Sequence, residues 1–153
     1  MLACAITAAS LLTLAASSLD AQGVSGRWLA EFDRTLRAEN GGVTSSDKAK
    51  ARMVLEQRGD SVTGTFQVVD PPVGRDGRAT AVRPLRGTIS GNKLSLQTEA
   101  EARRNVNGEE SVHKVTVLYD LLLDGDTLEG TTFAKSAAME TPPRPFSARR
   151  EKQ

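Results

Sequence analysis

The sequence predicts an all-β protein, a single antiparallel up-and-down β-barrel of about eight strands. Three hairpin signatures carry this prediction, at residues 55–66, 87–96 and 121–133, each with a Gly-Asp or Gly-Asn turn between two apolar or alternating segments. Gly, Asp and Asn tolerate the positive φ that tight hairpin turns need. Repeating this unit builds a meander, and closing the meander into a barrel removes its exposed strand edges. A two-sheet β-sandwich is the alternative.

Period-two alternation of apolar residues indicates the individual strands. The longest of them places Tyr119, Leu121 and Leu123 on one face. Pro84 indicates that the fourth strand is irregular or lies near an edge or a gap, because proline cannot donate a ladder hydrogen bond. The predicted strands are residues 26–33, 51–58, 61–69, 82–90, 93–101, 112–124, 127–135 and 144–150.

Three polar or Pro- and Gly-rich stretches predict long loops, at residues 34–50, 70–80 and 136–145. Loops of this length in a compact domain are often functional or mobile. Within or beside them, residues 45–52 and 134–140 each have the composition of a short helical turn.

The first residues are apolar or small, with no Lys or Arg before Arg27. This pattern predicts a signal peptide over residues 1–21, removed by cleavage after Ala21, and a β-barrel domain over residues 22–153. The protein is then exported, to the periplasm or outside the cell, and loses Cys4, its only cysteine. The alternative is a membrane anchor that is retained.

The charge is nearly balanced, with 20 Lys and Arg against 19 Asp and Glu, and aromatic residues make up 4% of the chain. Neither a basic surface nor a set of stacking platforms is indicated, so no nucleic-acid partner is expected. No stable membrane insertion is expected once the signal is removed.

Gly26-Arg27-Trp28 opens the first predicted strand. Gly-x-Trp at the start of an eight-stranded meander resembles the lipocalin and wider calycin pattern, and the hairpins resemble those of exported bacterial barrel proteins of unknown function. The resemblance implies that Trp28 closes one end of the barrel under a basic residue of the last strand. Parity with Phe146 favours Arg150 for that position, with Arg149 as the alternative.

Residues with catalytic or metal-binding chemistry are few. His113 is the only histidine, and Glu99 with Glu101 and Asp124 with Asp126 are the paired carboxylates considered. The Asp pair flanks a turn glycine, and the Glu pair is expected to face solvent, so turn chemistry and surface exposure explain both. We therefore expect no enzyme activity, no metal site and no cofactor.

The function that the fold favours is binding of a small apolar ligand inside the barrel, since barrels of this strand count either hold one small ligand or are filled by side chains. The alternative is a protein-interaction or inhibitor module that works through its loops around a filled core. For ligand binding, inward glycines would leave space at Gly64, Gly87 and Gly130. The residues expected to line the ligand are Phe66, Leu96, Tyr119 and Leu121.

Overall fold

The computed structural model describes residues 23–37, 43–71, 80–106, 109–137 and 140–152. These residues form an all-antiparallel barrel of eight strands with no helix. Residues 1–22, with the predicted signal peptide and its cleavage site, lie outside the described residues, as does most of the predicted loop at 70–80. The strands are β1 (Gly26–Arg37), β2 (Val43–Arg58), β3 (Ser61–Asp70), β4 (Arg83–Ser90), β5 (Lys93–Val106), β6 (Glu109–Asp124), β7 (Thr127–Lys135) and β8 (Arg144–Arg150).

Each strand pairs with its neighbours in chain order, and β8 pairs with β1 to close the barrel. The closing ladder pairs Trp28 with Arg150, and Phe32 with Phe146. The predicted up-and-down barrel is therefore confirmed, and the two-sheet sandwich is wrong.

Two predicted features are corrected by the length of β1 and β2. Residues 45–52 are not a helical turn but part of β2, and most of the predicted loop at 34–50 is strand, because β1 runs to Arg37 and β2 begins at Val43. No helical turn is present in the described part of residues 134–140, where Lys135 instead bridges Glu140. The sequence did not indicate these strands because their residues are mostly polar. Strands that pair through their backbones need no alternation of apolar side chains, which is the pattern used to recognise a strand.

One end of the barrel, here the turn end, carries three two-residue turns whose glycines have positive φ: 60° at Gly59, 59° at Gly91 and 56° at Gly125. The residue after each of these glycines also accepts a hydrogen bond, through its backbone carbonyl, from a strand outside its own hairpin. The carbonyls of Asp60, Asn92 and Asp126 accept hydrogen bonds from the amides of Ile89, Leu123 and Arg150, at 2.9, 2.8 and 2.9 Å.

At the opposite end, here the arm end, two hairpins continue past the closed barrel. The first arm consists of residues 33–37 and 43–49, since β1 pairs with β8 only as far as Phe32 and β2 pairs with β3 only from Lys50. The second arm consists of residues 98–106 and 109–115, since β5 pairs with β4 only as far as Gln97 and β6 pairs with β7 only from Thr116. Because β3 and β4 lie between the arms on one side and β7 and β8 on the other, the arms lie on opposite sides of the barrel.

Pro84 lies two residues before Arg86, where the ladder between β4 and β5 ends, so it is not paired with β5. The predicted gap beside Pro84 is thus present in the barrel wall. Apolar side chains on the inner face of all eight strands form one core cluster, which includes Trp28, Met53, Leu94 and Leu128, each fully buried.

Candidate functional site

Trp28 closes the turn end. Its side chain is fully buried, and its Nε1 donates a hydrogen bond to the carbonyl of Val24 at 2.9 Å. The segment before β1 is tied down in turn, because the amide of Val24 donates to Oε1 of Gln57 at 3.0 Å. These two hydrogen bonds therefore hold the backbone at Val24 in place beside the indole.

Arg150 covers the indole, with its guanidinium carbon 4.3 Å from the ring centroid. The same guanidinium donates to Asp126 Oδ1 at 3.0 Å, to the carbonyl of Gly23 at 2.9 Å and to the carbonyl of Ser25. Gly26, at φ +137°, makes room for it, since a Cβ there would lie 2.9 Å from Arg150 Nη1. Of the two predicted partners Arg150 makes this contact, whereas Arg149 is exposed on the opposite face of β8.

Four aromatic rings cross the barrel between its two ends. Phe32, Phe66, Tyr119 and Phe146 form a closed cycle, with centroid distances of 6.0 Å from Phe32 to Phe66, 5.9 Å from Phe66 to Tyr119, 5.1 Å from Tyr119 to Phe146 and 6.2 Å from Phe146 to Phe32. Offset or tilted rings at such distances attract one another beyond their area burial. We call these four residues the aromatic layer.

The predicted ligand-lining residues divide between the aromatic layer and the core next to it. Phe66 and Tyr119 belong to the layer. Leu96 lies opposite Tyr119, and Leu121 lies one inward position nearer the turn end, opposite Leu94. All four predicted residues are buried, at 2–5% exposure.

The interior space predicted beside three glycines is absent. A Cβ on Gly64, Gly87 or Gly130 would lie against a backbone carbonyl oxygen of the neighbouring strand. These glycines serve the close approach of one strand to the next, as at Gly87, where the carbonyl of Ser95 takes the place of a side chain.

The inner face beyond the aromatic layer, toward the arm end, differs in composition from the core. Its apolar residues Val68 and Val117 are only partly buried, as is Phe32 of the layer itself. Small side chains accompany them at Ala100 and Ala134, placed inward by their cross-strand partners Val115 and Val117.

Two arginines that were not predicted as site residues, Arg83 and Arg144, share this inner face. Arg83 lies opposite Phe66, and Arg144 lies opposite Thr132, which itself lies opposite Tyr119. Directly opposed residues point to the same side of a sheet, so both side chains point inward, where each is half-buried. The signal was present in the sequence, since each arginine precedes an inward apolar residue by two positions.

Two hydroxyl groups lie close to this inner face. Thr98 is 3% exposed, and its Oγ1 is the buried side-chain polar atom without a hydrogen-bond partner among the described residues. Burial raises the pKa of the Tyr119 hydroxyl to about 12, and the nearby charge of Arg83 acts in the opposite direction. Thr98 also lines a cleft of about 180 Å³ at the gap beside Pro84.

The other candidate residues lie outside the barrel interior or on the second arm. His113 is exposed on the second arm, with Ser111 Oγ 3.0 Å from its Nε2. Glu99 and Glu101 are exposed, and Glu99 pairs with Arg86 at 3.5 Å. In the part of the chain that the structure describes, no group of three or more His, Cys, Asp and Glu residues could hold a metal ion. Nor do these residues include a helix long and apolar enough to span a membrane.

Comparisons with known proteins add no assignment to this geometry. No family model, no curated protein and no solved structure matches the chain. The described residues define an eight-stranded up-and-down barrel with a tryptophan-closed turn end and an arm end of different composition.

Proposed function

We propose that this protein is a lipocalin-like barrel of the calycin type, exported after removal of residues 1–21, that binds a small apolar ligand between the aromatic layer and the arm end. The family assignment is supported by Gly26, Trp28 and Arg150, since the glycine admits the guanidinium that covers the indole. The ligand assignment is supported by the contrast in packing between the two sides of the aromatic layer.

One observation carries the placement of the ligand. Of the four partly buried apolar residues on the inner face, Phe32, Val68 and Val117 lie at the arm end, and Leu123 lies beside the Gly125 turn. On the other side of the aromatic layer, Leu94, Leu128 and Met53 are fully buried. Removing apolar surface from water contributes about 25 cal/mol per Å², so the partly exposed side is where an apolar ligand gains most.

The four predicted ligand residues then have two roles. Phe66 and Tyr119 present the rings against which a ligand packs, and Leu96 and Leu121 hold those rings from the core side. In this proposal the protein acts as a binding protein. Its single histidine lies on the second arm, hydrogen-bonded to Ser111, and the carboxylates of Glu99 and Glu101 face outward.

A specific observation favours the alternative, a protein-interaction or inhibitor module. Over residues 98–101 of the second arm, β5 pairs with β6 alone, so its other edge has backbone groups that no strand satisfies among the described residues. An extended peptide could add to such an edge. The two functions separate experimentally, because only the first requires apolar small molecules to bind.

The test uses a neutral ligand, decanol, and a matched pair of variants on β5. Decanol should bind at micromolar strength or better and raise the melting temperature by mass action. Ala100→Phe, which fills the inner face, should abolish this shift, and Glu101→Phe, which adds the same ring to the outer face, should retain it. A panel of neutral apolar compounds without any thermal shift would favour the interaction module.

Export has a separate test. N-terminal sequencing of secreted or periplasmic protein should begin at Gln22. A soluble protein in the cytoplasm that retains Met1 would contradict the proposed cleavage.

A further inference from the structure

One stretch of β5 has a partner strand on one side only. The ladder between β4 and β5 ends at the pair of Arg86 and Gln97, whereas the ladder between β5 and β6 continues to the pair of Val106 and Glu109. Outside these ladders, none of the backbone hydrogen bonds between described residues involves residues 98–101. We call the side of residues 98–101 that faces β4 the free edge of β5. Such an edge presents unpaired N–H and carbonyl groups, which are a template for another strand.

Two further observations indicate that this edge is open to a binding partner. A cleft of about 180 Å³ lies beside it, and its lining includes Pro84 of β4 with Thr98 and Glu99 of β5. The Oγ1 of Thr98 is buried and has no hydrogen-bond partner among the described residues. Since Pro84 has no N–H, the facing strand has one donor fewer with which to close the gap. A strand added along the free edge would bring backbone N–H and carbonyl groups next to the Thr98 hydroxyl, which is costly to leave unpaired.

The strand on the other side of β5 shows which side chains fit beside this segment. On the outer face Lys114 of β6 lies opposite Glu101, and on the inner face Val115 and Val117 lie opposite Ala100 and Thr98. At these positions β6 therefore has a basic residue outside and β-branched apolar residues inside, the alternation of a strand with one buried face. A strand on the free edge would meet the same β5 side chains, since directly opposed residues point to the same side of a sheet.

The free edge also has an unused charge outside and small or partly exposed side chains inside. Glu101 is exposed and forms no ion pair with any residue whose side chain the structure describes. Glu99 is exposed as well and pairs with Arg86 at 3.5 Å. On the inner face Ala100 is small, and Val117 is only partly buried. Basic side chains outside and apolar side chains inside are therefore complementary to this edge.

We propose that the free edge of β5 binds an extended segment of another protein by strand addition. The segment alternates apolar residues, which point into the barrel, with basic residues, which lie beside Glu99 and Glu101. Main-chain hydrogen bonds supply the affinity, and the alternating side chains supply the specificity. This inference gives the interaction module, the alternative function, a partner of defined chemistry, and it does not require an apolar small molecule to bind.

A peptide in which lysine and valine alternate over about seven residues, within the usual range of strand lengths, tests the proposal. Its dissociation constant for the purified protein is measured by calorimetry at physiological salt, beside a peptide of the same composition with all lysines before all valines. The alternating peptide should bind about tenfold or more tightly, because only its side chains match both faces of β5 at once. Equal binding of the two peptides would overturn the proposal, since charge alone would then explain it.

A matched pair of charge reversals locates the bound peptide. Glu101→Lys, at the free edge, should weaken the alternating peptide about fivefold, since it replaces an attractive cross-strand pair by a repulsive one. Glu129→Lys, at an exposed position of β7, makes the same change in net charge and should leave the affinity within about twofold. A peptide with glutamate in place of lysine should show the reverse preference and bind Glu101→Lys more tightly than the unchanged protein. Equal weakening by the two substitutions would place the peptide elsewhere.

N-methylation tests whether the backbone of the peptide forms a ladder with β5. Alternate N–H groups of a strand point to the same edge, so one version is methylated on the lysine amides and another on the valine amides. One version should lose binding, and the other should retain it. Retained binding in both versions would show that no strand is added.

The failure of this inference and the failure of the proposed function are distinguishable. If decanol binds and the alternating peptide does not, strand addition is wrong and the apolar-ligand proposal stands. If the peptide binds as expected and no neutral apolar compound does, the proposed function is wrong and this inference stands. Circular dichroism and melting check the folding of each variant. If Glu101→Lys does not fold, Glu101→Gln takes its place, since it removes the attraction without adding repulsion.

Discussion

The two ends of this barrel are built from the same eight strands. They differ in how the strands are connected, in how the interior is covered and in the exposure of apolar residues on the inner face. At the turn end, two-residue turns join neighbouring strands, their carbonyls bond to the next hairpin, and Trp28 and Arg150 cover the core. At the arm end, two opposed hairpins leave the barrel, a gap lies beside Pro84, and apolar inner-face residues stay partly exposed.

The difference indicates that the two ends of the barrel contribute differently to the stability of the fold. Dense burial and satisfied backbone groups at the turn end supply the stability of the fold. The arm end has fewer cross-strand partners, and on its inner face the buried hydroxyl of Thr98 has no hydrogen-bond partner among the described residues, which costs stability. Such features are expected where a protein binds something, and the following changes test that interpretation.

The largest contrast is expected between Leu121→Ala and Val115→Ala, two truncations on the inner face of β6. Leu121 is 3% exposed next to the aromatic layer, and its truncation should cost roughly 2–5 kcal/mol. Val115 lies in the second arm and is half-buried, so its truncation should cost less than about 1 kcal/mol. Urea unfolding measures both, and equal costs would mean that the two ends are equally packed.

Alkaline pH tests the burial of the aromatic layer. Tyr119 is the only tyrosine, and burial raises its pKa from 10.0 to about 12. The unfolded chain loses this proton first, so the contribution is complete below pH 10 and is lost as the pH rises toward about 12, by about 2–3 kcal/mol. Ultraviolet titration of the phenolate in folded and unfolded protein measures the shift directly, and a folded-state pKa near 10 would place Tyr119 in contact with water.

The closure of the turn end is tested by Arg150→Ala with Arg149→Ala as its control. Loss of the contact with Trp28, the Asp126 ion pair and two bonds to backbone carbonyls should cost roughly 1–3 kcal/mol. Emission from Trp28 should shift to longer wavelength in the same variant. Arg149→Ala should change neither property, and a similar effect of both variants would remove Arg150 from its assigned role.

A smaller gain in stability is expected from Thr98→Val at the arm end. Replacing a buried hydroxyl that has no partner among the described residues by a methyl group should stabilise the unliganded protein by about 1 kcal/mol. Thermal melting without ligand measures this, with Thr65→Val, an exposed position, as the control. A loss of stability in Thr98→Val would show that the hydroxyl makes a bond that the fold needs.

The turn end could be predicted from the sequence and much of the arm end could not. Gly59, Gly91 and Gly125 indicate their turns because few other residues adopt positive φ. The contact between Trp28 and Arg150 follows from the alternation of side chains along the first and last strands once the barrel closes. The strands of the first arm lie in polar sequence, where pairing through the backbone leaves no side-chain pattern. The cycle of ring contacts in the aromatic layer depends on how four different strands meet, which no local pattern encodes.

The most direct test of the difference between the two ends is an amide-resonance titration of the isotope-labelled protein with decanol. We predict that the resonances of Thr98, Ala100 and Val117 move on binding and that those of Gly59, Gly91 and Gly125 do not. Shifts centred on the turn glycines, or the absence of any shift at saturating decanol, would contradict a ligand site at the arm end.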